Sequence, residues 1–115
     1  MIVYIAGPMS HKADTDFNYS EFNRVARELR DLGYEVLNPA ETDEGSSHKP
    51  REFYLREAFQ LVCLADAVAV LEGWEDSRGA QVEVAMAREL GMNIYDAERL
   101  IKYQITEEDS CESWD

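Results

Sequence analysis

Along this chain, short unbroken apolar runs alternate with stretches whose apolar positions repeat at helical spacing. Ile2 to Ala6 is fully apolar and ends at Gly7-Pro8, so it reads as a buried parallel strand with a loop at its C-terminal end. From Ser20 the period changes. Phe22, Val25, Ala26, Leu29 and Leu32 recur at i, i+3 and i+4, with Ser20 as N-cap and Gly33 as the C-terminal stop. Tyr34 to Leu37 is a second strand, stopped by Asn38-Pro39, and Glu41 to Pro50 is polar and loop-like. Arg51 to Leu64 is a second helix, with Phe53, Leu55, Ala58, Phe59, Leu61 and Val62 as its apolar contributors. Ala67 to Leu71 is a third strand, Gly73 to Arg78 a loop, and Gly79 to Leu90 a third helix closed by Gly91. Met92 to Tyr95 is a fourth strand, followed by a short helix and an acidic tail, TEEDSCESWD.

Unbroken strand–helix alternation implies right-handed crossovers and a parallel sheet covered on both faces. The expected fold is therefore α/β: a flavodoxin- or Rossmann-like doubly wound parallel sheet of four to five strands in one three-layer domain, with strand order 2-1-3-4. The domain should run over residues 1–103, leaving 104–115 as an acidic tail. In such sheets a ligand binds beyond the carboxyl ends of the strands. Three loops converge there, over residues 7–16, 38–50 and 73–78.

Composition narrows the partners. The chain has 115 residues, enough for one domain, and 24 acidic against 11 basic side chains give a formal net charge of −13. Such a field repels a polyanion, so DNA or RNA is not expected as a partner, while a small nucleotide held by backbone N–H groups remains compatible. Cys63, in an apolar helical stretch, reads as a small core hydrophobe, and Cys111 sits among acids that do nothing to activate it. Neither cysteine has zinc-ligand spacing and neither His11 nor His48 has a companion at i+4, so no metal or other cofactor is expected. The apolar run at the N-terminus is too short for a signal peptide or a membrane span, which gives a cytoplasmic expectation. A chain this small gains core by association, so a homodimer or larger homo-oligomer is expected.

The segment from Asp66 to Leu90 carries the most chemistry: a buried strand, a polar loop, then a helix bearing Glu83 among Val82, Val84, Ala85 and Ala87. A carboxylate in such company, near the mouth of a pocket, is costly to bury unless it has partners or a task. Asp66, at a strand start, reads as structural. Trp74 lines a base pocket or is an exposed loop aromatic, and Arg78 contacts a phosphate or is simply solvated. Asn18, Asn23 and Asn38 bind a base or cap helices, with capping favoured for Asn23. Met9, after Pro8, forms part of a pocket wall.

These segments resemble the nucleoside 2-deoxyribosyltransferases and the related deoxynucleotide N-hydrolases. The resemblance rests on Tyr4-Ile5-Ala6-Gly7, on Ala65-Asp66-Ala67-Val68-Ala69-Val70, on Gly79-Ala80-Gln81-Val82-Glu83 and on Leu90-Gly91. The order of YIAGPMS, FN near the first helix, NPA after the second strand, and GWEDSRGA looks most like a phage-associated branch of that superfamily. It covers the chain to about Tyr95. The resemblance implies that Glu83 is the nucleophile attacking the anomeric carbon and that Tyr4 stands beside the sugar and that glutamate. It implies that Ser77 contacts a 5′-phosphate, with the loop amides up to Gly79, where the nucleoside transferases carry an aspartate. The N-hydrolases also place a serine and an arginine just after the first glycine, positions held here by Pro8 and Ser10. It further implies subunits that complete one another's sites.

Glycosidic cleavage passes through an oxocarbenium-like state that a carboxylate under the ring stabilises or traps. The departing base needs a proton, for which Asp14, Asp16 and Glu57 are candidates and Glu57 the first choice. The expected site is thus Glu83, Tyr4 and Glu57 for catalysis, with Gly7, Pro8, Met9, Asn38, Trp74, Ser77 and Gly79 around a nucleoside or nucleotide. Three functions share it: base release from a deoxynucleoside monophosphate or deoxynucleoside, exchange of one base for another, and non-catalytic sequestration of a nucleotide.

Overall fold

The computed structural model describes residues 1–8, 18–43 and 50–103. Among these residues four strands, β1 (Ile2–Ala6), β2 (Glu35–Leu37), β3 (Ala67–Val70) and β4 (Asn93–Asp96), form one parallel sheet in the order β2-β1-β3-β4. That is the expected order. β1 and β3 lie side by side with Tyr4 opposite Val68 and Ala6 opposite Val70, and β4 continues the rows with Ile94 and Asp96.

Among the described residues, α1 (Tyr19–Asp31), α2 (Pro39–Asp43), α3 (Arg51–Leu64) and α4 (Arg78–Glu89) lie between the strands, and α5 (Ala97–Tyr103) follows β4. Strand side chains alternate between faces, so the sheet divides the core in two. Val3, Ile5, Ala67, Ala69 and Tyr95 meet Phe22, Val25, Ala26 and Leu29 of α1 and Leu100 of α5. Tyr4, Ala6, Val68, Val70 and Ile94 meet Ala58 and Val62 of α3 and Val84 and Ala87 of α4. Both faces are covered, which is why β1 and β3 carry no polar alternation. Each fully buried Val, Leu, Ile or Phe stabilises the fold by roughly 1.5–3 kcal/mol.

Helix ends follow local chemistry, and here several expectations change. The N-cap of α1 is Asn18 in the left-handed region (φ 67°), where Asn is tolerated, and not Ser20. Asn23, expected to cap, lies inside α1, where its Oδ1 accepts from Asn38 Nδ2 at 2.9 Å. Asn38 is the cap: its Oδ1 accepts from Ala40 N at 3.0 Å, and Pro39 supplies the first helical residue. Glu41 therefore starts no loop; it is within α2, held by Arg30 through a two-pronged pair at 2.7 and 3.0 Å. Gly33 and Gly91 both take positive φ, and the amides of Tyr34 and Met92 reach back to Leu29 O and Ala87 O to close α1 and α4.

The expected loop between Gly73 and Arg78 contains a 3-10 turn, Trp74–Asp76, and α4 starts one residue early at Arg78. Cys63 is exposed and not a core residue. The inward stripe of α3 is Ala58 and Val62, with buried Ala65 just past the helix end, and the position after Val62 is turned about 100° away from that stripe. At the N-terminal edge of the sheet, Asp66 Oδ2 accepts from Ile2 N at 2.8 Å, and Ile2 O accepts from Asp66 N at 2.7 Å. Asp66 thus fastens β1 to β3 at the end opposite the ligand edge. Among the described residues no helix is long and apolar enough to cross a membrane.

Candidate active site

The C-terminal ends of β1 and β3 make the floor of the site. Leu71 continues the ladder past β3, its amide donating to Ala6 O at 2.9 Å. Its side chain lies so near Gly7 that a Cβ there would stand 2.8 Å from Leu71 Cβ. The chain then turns at Gly73 (φ 88°), where an added Cβ would stand 3.5 Å from Pro8 Cγ. The loops after β1 and β3 are therefore stacked. Trp74, half-buried against the Tyr4 side of the core, opens the 3-10 turn with its amide donating to Leu71 O at 3.1 Å.

Ser77 starts α4. Its Oγ accepts from Ala80 N at 3.3 Å and its carbonyl from Gln81 N at 2.9 Å. A Cβ on Gly79 would meet nothing within 4 Å among the described residues, which leaves room beside the first turn of α4. The first amides of a helix lack carbonyl partners within it, so this terminus offers N–H donors and a partial positive charge.

Ala80, Val84 and Ala87 are the buried stripe of α4, and Glu83 stands in that stripe, half-buried. Beneath it on the same sheet face is Tyr4, whose side chain is 0% exposed. Among the described residues the Tyr4 hydroxyl has no hydrogen-bond partner. It nevertheless feels the Glu83 carboxylate: burial first, then the negative charge, then the acceptor oxygen push its own proton loss well above the usual phenol range. In turn, burial lifts the Glu83 carboxyl to about 7, with the Tyr4 hydroxyl pulling the other way.

Around this pair the fold assembles Gly7, Pro8, Trp74, Ser77 and Gly79 at one edge of the sheet. Other expected residues stand elsewhere. Glu57 is midway along α3, half-buried beside Ala58, and no hydrogen bond or ion pair among the described residues joins it to Glu83 or Tyr4. Asn38 is buried with both ends of its amide engaged inside the protein. Met9, Ser10, Asp14 and Asp16 lie outside the described residues. One acid went unnoticed in the sequence. Asp96 closes β4 in register with Val70, and burial pushes its carboxyl above the usual range while an accepted bond from the Glu98 backbone lowers it. Its only signal was an acid at a strand end just before a helix. No three His, Cys, Asp or Glu side chains gather as a metal site among the described residues.

A comparison with curated proteins finds no match. The fold is similar to that of a solved 2-deoxyribosyltransferase from the psychrotolerant bacterium Bacillus psychrosaccharolyticus. The TM-score is 0.63 at 20% identity, covering 82% of this chain and 69% of that one. At this identity the likeness establishes a shared α/β fold. Sequence comparison places residues 1–96 in a family, and the chain belongs to it: the one described as "Domain of unknown function (DUF4406)".

Proposed function

We propose that this protein cleaves the N-glycosidic bond of a 2′-deoxynucleoside or its 5′-monophosphate, with Glu83 as the attacking carboxylate. The observation that carries this reading is the Glu83–Tyr4 pair: an acid on the buried stripe of α4, at the ligand edge of the sheet, facing a buried and unsatisfied phenol. Buried polar groups left in that state are costly, and they gather where chemistry needs them. The fold shared with a 2-deoxyribosyltransferase supports the choice of bond.

In the proposed reaction a Glu83 oxygen bonds to C1′ as the C1′–N bond breaks. The bonding pair leaves on the base nitrogen, which takes a proton from an acid or from water. Water or the ring nitrogen of a second base then attacks C1′ and gives up a proton to the group that protonated the first base or to solvent, as the C1′–O bond breaks and returns its pair to the Glu83 carboxylate. Tyr4 donates to the carboxylate and fixes its direction, while Ser77 and the first amides of α4 hold the 5′ end of the sugar. Glu57 is the first candidate for the proton donor, reached only with substrate bound. Self-association belongs to this reading too, supported by apolar side chains left on α3 and α4, with Leu64 64% exposed and Val82 and Leu90 also open.

The experiment is incubation with a panel of deoxynucleosides and deoxynucleotides, with and without an added free base, followed by chromatography. Released base supports hydrolysis and a new nucleoside supports exchange. A nucleotide should outperform its nucleoside, and Ser77→Ala should erase that advantage. Unchanged substrates throughout would favour the sequestering role.

A further inference from the structure

We infer that Glu83 and Tyr4 form a proton gate: the site is competent only once Glu83 has given up its proton, and the Tyr4 hydroxyl sets how readily it does so. The consequence for turnover rests on the proposed function; the gate itself does not. Its basis is what surrounds α4. From β1 comes Tyr4; from β3 come Val68 and Val70, neither of which titrates. From β4 come Ile94 and, at its end, Asp96, which titrates under the influence of Glu98, Arg99 and Glu72. From α3 come Ala58, Leu61 and Val62, with Glu57 the one acid near that stripe. The 3-10 turn brings Trp74 inward and leaves Glu75 and Asp76 exposed. On α4 itself Arg78, Arg88 and Glu89 are exposed, away from the buried stripe that holds Glu83.

Among the described residues, then, no cation bonds to Glu83. Burial opposes its ionised form, and among the described residues it is the Tyr4 hydroxyl that favours that form. Among the described residues this hydroxyl has no hydrogen-bond partner, so ionisation of Glu83 offers an orphaned donor a stronger acceptor. Loss of Glu83's proton thus satisfies the Tyr4 donor while placing a charge in a buried position, and the balance of these two effects sets where the proton leaves. The midpoint of that step lies at about 7, inside the range a cell visits. Below it a carboxylic acid replaces the nucleophile, and turnover should fall about tenfold per pH unit.

The test needs neither substrate nor turnover. Carbon-13 NMR of the full chain, labelled at glutamate carboxyls, follows each resonance with pH, and Glu83→Gln identifies the one that belongs to Glu83. The expected midpoint is near 7 in the parent and higher in Tyr4→Phe, which keeps the ring packing and removes the donor. A parent midpoint in the ordinary carboxylate range, about 4 to 5, would overturn the gate, as would a midpoint that Tyr4→Phe leaves in place. If Glu83 titrates near 7 and shifts in Tyr4→Phe while no nucleoside or nucleotide is cleaved, the gate stands and the proposed substrate falls.

Discussion

Gly7 and Leu71 meet so closely that a single carbon added to Gly7 would sit 2.8 Å from Leu71 Cβ and 2.9 Å from its Cδ1. The nearest atom is a Cβ, fixed to its own backbone, so rotating the leucine side chain gives no relief. Both residues stand where β1 and β3 leave the sheet, which is also where Tyr4 and the turn into α4 are positioned. Gly7→Ala should therefore push the two strand ends apart and cost about 1–3 kcal/mol. Urea denaturation checks this, and a midpoint equal to the parent's would contradict the packing described.

Asn38 supports the same edge from the other side. It caps α2 through Ala40 N and ties α2 to α1 through Asn23 Oδ1. Asn38→Ala removes both bonds and strands a part-buried acceptor, at an expected cost of about 1–2 kcal/mol. Thermal unfolding should register the loss. A variant as stable as the parent but with weakened substrate binding would return Asn38 to the ligand role its sequence position suggests.

Much of this architecture was legible in the residues. The apolar runs at Ile2–Ala6 and Ala67–Val70 announce strands buried on both faces, and the helical spacing after Ser20 and from Arg51 to Leu64 announces the crossovers between them. Strand order follows because α1 crosses on one face and α3 and α4 on the other, and right-handed connections then leave few alternatives. What was not legible depended on three-dimensional neighbours or on single dihedrals. Asn38-Pro39 looks like a stop and acts as a start, because a cap followed by proline suits a helix as well as a turn. Asn18 caps α1 only by entering a left-handed conformation that nothing in its sequence demands. Cys63 faces outward because the stripe beside it, not its own apolarity, sets the helix's rotation. At the site, Glu83 stands out as an acid in apolar company. Its partner Tyr4 sits 79 positions earlier and is brought beneath it only by the register of β1 against β3 and the packing of α4 over both.

The buried carboxyl also has a thermodynamic signature. Glu83 titrates at about 7 against an ordinary 4.5, so between those values the folded chain holds a proton that the unfolded chain has released. The stability this contributes is fully present below about 4.5 and is lost as pH rises through 7. The loss is on the order of 3 kcal/mol. Glu83→Gln has no proton to lose at this site. Relative to that variant, the parent should be most stable near pH 4.5 and progressively less so up to about pH 8. Paired thermal melts across that range give the answer, and a constant difference would mean that Glu83 is not buried as described.

The central claim is that Glu83 attacks a glycosidic carbon, and the most direct measurement is base release by Glu83→Gln beside the parent, at a pH above the gate. Glutamine keeps the shape of the side chain and its contact with Tyr4, but offers no carboxylate to bond to C1′. Removing the nucleophile should slow release by about a thousandfold or more, equivalent to a barrier increase of on the order of 4 kcal/mol, with the circular dichroism of the fold unchanged. Release by Glu83→Gln at the parent's rate would contradict the account.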